Sequence, residues 1–174
     1  MARISYPDPS TYEHEPVTRR IARERGGKLL NLYRMLLHSP PIAEGWLAFL
    51  TAVRQRSSLP GRYRELAILR VAVLNGAGYE FAVHTPFALA EGIAPASIEA
   101  LRSEAPPPAA KLDDADLAVI AYTDAMTRAI RVPAQIFANL REHLAERQIV
   151  ELTATVAAYN CVSRFLEALQ IDHD

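Results

Sequence analysis

Residues 64–92 read RELAILRVAVLNGAGYEFAVHTPFALAEG, and the reading of this stretch decides the fold. From Leu66 to Leu74 the run is apolar except for Arg70, and a serine and a proline stand ahead of it in SSLP. That start suits a helix, and so apolar a composition implies one buried on most sides. Asn75–Gly76 and Gly78 mark a break, after which YEFAVHTPFALAEG reads as helical up to Gly92. Glu80 and His84 lie four residues apart in it, about one turn, and so project from one face. Pro86 removes one backbone hydrogen bond and is expected to kink this second helix near Ala82 to His84.

Outward from this pair, apolar residues recur at helical spacing from Lys28 onward. KLLNLYRMLLHS forms a first helix, closed by Pro40–Pro41. IAEGWLAFLTAVRQR follows, with Ile42, Trp46, Phe49, Leu50 and Val53 spaced for one apolar face. PASIEALRS reads as a short helix, and EAPPPAAK as a proline-rich surface connection. The aspartates opening DDADLAVIAYTDAMTRAI suit the positive end of a helix. VPAQIFANLREHL and AERQIVELTATVAAYNCVSRFLEAL complete the chain. The expectation is an all-α fold of about seven or eight helices, with residues 1–27 as a proline-bearing extended arm and 28–174 as one helical domain. A faint echo between RELAILRVAVLNGAGYEF and VELTATVAAYNCVSRF suggests two copies of a helical hairpin.

The 174 residues, half of them hydrophobic, suffice for a sizeable core. Nineteen basic and 20 acidic residues leave a net charge of −1, without the basic stripe that nucleic acid or an acidic membrane surface calls for. No run approaches the length of a membrane span, and the first twenty residues hold no secretory signal. One cysteine, Cys161, excludes an intrachain disulfide, and a soluble cytoplasmic protein is the simplest expectation. Its apolar setting suggests a buried, inert thiol.

Several residues are candidates for chemistry. His84 is the side chain best matched to proton transfer near neutral pH, and its structural alternative is a core histidine with satisfied ring nitrogens. Glu80 either orients His84, acts as a second acid/base group, or belongs to a solvated face. Arg70, alone among apolar neighbours, needs an anion: Glu65, Glu80 or a substrate carboxylate, with an intersubunit ion pair as the alternative. Glu65 opens its helix and suits the dipole there. Tyr79 offers a hydroxyl to a developing oxyanion, or simply packs. Tyr159, Asn160 and Arg164 form a second polar group, placed either on the same cavity or on a subunit contact. Glu80 and His84 have spacing usable by a metal, but two ligands do not make a site, so no metal is expected.

Taken together, the Glu-Leu helix start, the apolar helix, the Tyr-Glu-Phe triplet, the histidine and the alanine-rich turn ending in Gly92 resemble the carboxymuconolactone decarboxylase family. The resemblance runs from about Asn31 to Ile171 and is strongest from Arg64 to Leu101. It implies the alkylhydroperoxidase D-like helical bundle, and a homo-oligomer, often a trimer or hexamer, with sites near subunit interfaces. The hydroperoxidase branch of this fold carries a Cys-x-x-Cys pair seven and four residues before the histidine, with an upstream glutamate in a proton relay. Glu65 and His84 match the relay positions here, while Ala77 and Glu80 stand where the cysteines belong. Disulfide exchange needs a thiolate attacker and a resolving thiol, so that cycle is closed to this site.

The decarboxylase branch works without a cofactor. The resemblance therefore implies an enzyme acting on a small carboxylated or lactone-type metabolite from aromatic-compound breakdown. In that reading His84 donates the proton, Glu80 orients it, and Arg70 clamps an anion, with Tyr79, Tyr159 and Arg164 as further substrate contacts. The alternatives are an antioxidant hydroperoxidase of the same fold, which the missing cysteines disfavour, and a non-catalytic oligomeric ligand-binding protein.

Overall fold

The computed structural model describes residues 1–103 and 111–174. Most of the proline-rich connection EAPPPAAK therefore lies outside the described residues. Among these the structure is all-α, with nine α-helices and no strand. They are α1 (Pro16–Glu24), α2 (Asn31–Leu36), α3 (Pro40–Gln55), α4 (Gly61–Leu74), α5 (Gly78–Ala90), α6 (Pro95–Ala100), α7 (Asp114–Ala129), α8 (Ala134–His143) and α9 (Glu146–Leu169). Eight match the helices expected from periodicity. The ninth, α1, lies in the segment expected as an extended arm, where Val17 and Ile21 fall one turn apart and are both buried.

The chain forms two compact units, residues 1–56 with 165–174, and residues 57–164. In the first, α3 packs with α1 and α2. The buried face of α3 is Ala43, Leu47, Leu50 and Val53, whereas Ile42 and Phe49 are about half exposed. The expected stripe thus holds at Leu50 and Val53, whereas Ala43 and Leu47 are buried in place of their neighbours Ile42 and Trp46, because α3 is apolar on more than one side and periodicity alone does not choose between them. Trp46 lies at the edge of the stripe, its ring 5.2 Å from that of Phe165.

The second unit is built on α4. Leu66, Ala67, Ile68, Leu69, Val71 and Ala72 are all buried, as a helix without a polar face requires. Each of the larger ones contributes roughly 1.5–3 kcal/mol of burial. The helix packs against α5 on one side and α7 on another. Its N-terminus is not capped by a serine: Pro60 holds the cap position, and Ser58 instead donates from its N–H and hydroxyl to Glu151 on α9, at 2.9 and 2.7 Å. By contrast, the aspartates before α7 form a capping box, Asp113 accepting from the N–H of Asp116 and Asp116 from that of Asp113.

Between α4 and α5 the chain reverses at Gly76. Its φ of +66° is one that a side-chain-bearing residue rarely adopts, and the next N–H, that of Ala77, reaches back to the Ala72 carbonyl at 2.8 Å. This closes α4 and folds α5 back along it. Helix α5 then continues through Pro86 to Ala90. The carbonyl that Pro86 deprives of a donor belongs to Ala82, which is exposed to water. The echo between α4 and α9 does not mark a repeated hairpin, since α9 is one continuous helix.

Candidate active site

The α4–α5 reversal brings the start of α4 beside the middle of α5. Glu65 and His84, 19 residues apart, meet there: the His84 Nδ1 lies 2.7 Å from Glu65 Oε2. On the opposite edge of the imidazole, Nε2 lies 3.5 Å from Glu80 Oε2, one turn earlier on the same helix. All three are buried, with relative exposures of 3% for Glu65, 5% for Glu80 and 2% for His84. Two carboxylates withdrawn from water require compensating charge or protons. The imidazole supplies one positive charge whenever it takes up a proton. Arg64 supplies another, its Nε donating to Glu65 Oε1 at 3.1 Å.

Burial pushes the Glu65 carboxyl up. The hydrogen bond and charge of His84, together with those of Arg64, outweigh it and hold the group below its ordinary value. Glu65 is therefore an anion at neutral pH. As an acceptor beside Nδ1 it keeps the N–H on that nitrogen and leaves Nε2 as the atom that takes up or gives out a proton. Glu80 faces that atom.

Aromatic side chains enclose the imidazole. The Tyr159 ring, from α9, stands perpendicular to it at 5.0 Å between centroids, and the Phe87 ring is 5.7 Å away. Of the expected polar group on α9, Tyr159 thus reaches His84. Arg164 turns to Asn160 instead, donating to its carbonyl at 3.0 Å and to its side-chain oxygen at 2.7 Å. Asn160 in turn bonds Asn75 and Thr127. Tyr79 is buried at the start of α5, adjacent in sequence to Glu80.

Arg70 is fully buried, and its partner is none of those expected. Its Nε and Nη2 grip the Asp124 carboxylate at 2.5 and 2.6 Å, and its Nη1 donates to the carbonyls of Leu101 and Ser103, each at 2.6 Å. A guanidinium committed to a bidentate carboxylate and two carbonyls ties α4 to α7 and to the end of α6, and is not available as an anion clamp. Cys161 also departs from expectation. Ala158, Tyr159 and Val162 are buried, while Ala157, Cys161 and Arg164 lie on the exposed side of α9. Separately, a groove of 490 Å³ opens between α5 and α6, lined by Phe81, Ala82, Thr85, Leu89, Ile98 and Arg102 among others. Among the described residues no group of three or more His, Cys, Asp or Glu is arranged to hold a metal ion.

Sequence reasoning passed over Arg64 and Asp124. Arg64 is the immediate neighbour of Glu65, and helical periodicity does not place such neighbours on one face. Asp124 is 54 residues from Arg70, and no local signal links them.

The fold defines the class: an all-α protein with an alkylhydroperoxidase D-like architecture. Several solved structures share it, three of which illustrate the range. One is a protein of unknown function from Agrobacterium tumefaciens, described as a putative antioxidant defence protein AhpD. It is 24% identical with a TM-score of 0.72, over 79% of this chain and 93% of that one. A second is an uncharacterised peroxidase-related protein with an AhpD core from Ralstonia eutropha, 17% identical with a TM-score of 0.84, over 99% and 92%. A third is the debrominase Bmp8, solved in complex with 2,3,4-tribromopyrrole, 16% identical with a TM-score of 0.79, over 100% and 94%. At these identities the likeness is one of fold. No curated protein matches the chain. The carboxymuconolactone decarboxylase family pattern matches residues 40–135, more than half of the sequence, and the chain belongs to that family.

Proposed function

We propose that this protein is a carboxymuconolactone decarboxylase-like enzyme that works without a cofactor, by acid/base chemistry, on a small carboxylated or lactone-type metabolite. One observation carries the reading: a buried histidine held between two buried carboxylates, Glu65 on Nδ1 and Glu80 opposite Nε2. In the reaction the bond between the substrate carbon and its carboxylate breaks, carbon dioxide leaves, and the electron pair passes into an enolate. The protonated Nε2 of His84 delivers its proton to that carbon, and one proton returns to the site from water. Glu65 holds the ring in register and stabilises the imidazolium, and Glu80 relays the proton and restrains it until substrate is bound. Tyr79 and Tyr159 are the proposed substrate-side contacts. Arg70 has no place in this scheme.

Self-association into a trimer or hexamer is supported by exposed apolar side chains, among them Ile42, Phe49, Phe87, Leu89 and Val150. A cytoplasmic location is supported by the single cysteine, and among the described residues no helix is long and apolar enough to cross a membrane. Antioxidant defence and debromination are ascribed to two of those structural relatives. Peroxide reduction through a thiol pair would require cysteines that positions 77 and 80 do not hold.

The test is a thermal-shift screen of small lactones, dicarboxylates and aromatic acids against the unmodified protein, His84→Ala and Glu80→Ala, with carbon dioxide release measured for each hit and peroxide as control. A carboxylate that stabilises the protein and is turned over only when His84 is present supports the reading. Peroxide consumption without carbon dioxide release from any hit refutes it.

A further inference from the structure

The Glu65 carboxylate has two oxygens, and different cations hold them. Oε2 faces His84 Nδ1 at 2.7 Å, and Oε1 accepts from Arg64 Nε at 3.1 Å. Arg64 is itself held at its far end, its Nη2 lying 3.5 Å from Glu91 Oε1 at the close of α5. The three side chains grade from surface to interior, 41% exposed at Glu91, 16% at Arg64 and 4% at Glu65. A carboxylate fixed at one oxygen cannot rotate about its terminal bond without losing a charge-assisted hydrogen bond.

We propose that Arg64 is a positioning residue of this site: it locks the Glu65 carboxylate so that one oxygen is presented to His84, and its charge limits how strongly Glu65 holds the imidazolium proton. This deepens the acid/base reading and rests on it for its catalytic meaning, though the charge coupling stands by itself. Among the described residues, the charged and titratable groups seen facing His84 are Glu65 from α4, Glu80 from α5 and the Tyr159 ring from α9, with Arg64 and then Glu91 behind Glu65. Arg64 is the one cation in that set besides His84 itself. It competes with the imidazolium for the same carboxylate, lowering the cost of giving the proton away. Without it, Glu65 serves His84 alone.

The experiment is a ¹⁵N NMR titration of the five histidines, with the His84 resonance assigned by its loss in His84→Ala. It is run on the unmodified protein, Arg64→Met, Arg64→Lys and the control Glu91→Gln. The expected result is a His84 midpoint raised by roughly one pH unit in Arg64→Met, a smaller rise in Arg64→Lys, which keeps the charge but not the fork, and little change in Glu91→Gln. Once a substrate is in hand, kcat falls in Arg64→Met while KM holds. An unchanged His84 midpoint in both Arg64 variants overturns the proposal. Should Arg64→Met not fold, Arg64→Lys decides: a raised midpoint supports the coupling and an unmoved one removes it. Failure to find any decarboxylated substrate would strike the acid/base reading and leave the titration result standing.

Discussion

Glu65 and His84, from two different helices, share a hydrogen bond of 2.7 Å in an interior from which water is nearly excluded. The bond gives the imidazole a fixed tautomer and orientation, leaving Nε2 toward Glu80. Replacing Glu65 by Gln keeps the shape and removes the charge. The imidazolium then loses its main counter-ion, so the His84 midpoint falls, by about one unit or more. Turnover should drop by roughly 10²–10⁴-fold. NMR titration and steady-state kinetics on Glu65→Gln check both. A midpoint that stays in place would show that Glu65 does not govern the ring.

Arg70 and Asp124 form a bidentate pair whose arginine is fully buried. Arg70→Met strands a carboxylate and leaves the Leu101 and Ser103 carbonyls without this donor, so stability should fall by about 3–5 kcal/mol in denaturant unfolding. Any substrate that the protein turns over should keep its KM in the folded fraction. A raised KM with little loss of stability would return Arg70 to the role of anion clamp.

Much of the fold was legible because helices announce themselves locally. The apolar run from Leu66 to Val73, the Asn75–Gly76 break and the aspartates before α7 each carry their cause within a few residues. The site was legible in part for the same reason: Glu80 and His84 are one turn apart, and the chain's resemblance to its family placed Glu65 with them. The partner of Arg70, the exposure of Cys161 and the buried face of α3 depend on what packs against each helix. Those facts lie tens of residues away, and no local spacing encodes them. Helix α1 was missed because its prolines read as an extended arm, although Pro16 sits at the first turn of a helix, where a missing N–H costs nothing.

Glu151 ties α9 to the segment before α4. Burial acts to raise its pKa, but bonds from the Ser58 hydroxyl and N–H, then from Arg147 and Ser57, bring it down to about 2 from an ordinary 4.5. A group depressed by folding stabilises the protein above its unfolded value, and that contribution is lost as pH falls through the folded one. Glu151→Gln should therefore cost about 1 kcal/mol near neutral pH, and the difference should vanish between pH 4.5 and about 2. Urea unfolding at several pH values measures it. Parallel profiles for the two proteins across that window would contradict the assignment.

Ile130 closes α7 with φ +63° and ψ −50°, and the N–H of Arg131 bonds back to the Ala129 carbonyl at 2.6 Å. This is the strained form of the γ-turn, here imposed on a β-branched residue that is 85% exposed. Ile130→Gly relieves the strain and sacrifices almost no burial, so thermal unfolding should show a gain of roughly 1 kcal/mol. A loss of stability would contradict the assignment of strain to this turn.

The measurement that bears most directly on the acid/base site is the rate of carbon dioxide release from a carboxylated lactone, compared between the unmodified protein and His84→Ala. Both proteins are first shown to be folded and to bind the compound. With His84 as the proton donor, release by the variant falls by roughly 10²–10⁴-fold while binding persists. Equal rates in the two proteins would contradict the account, leaving the buried pair of Glu65 and His84 as a piece of the core.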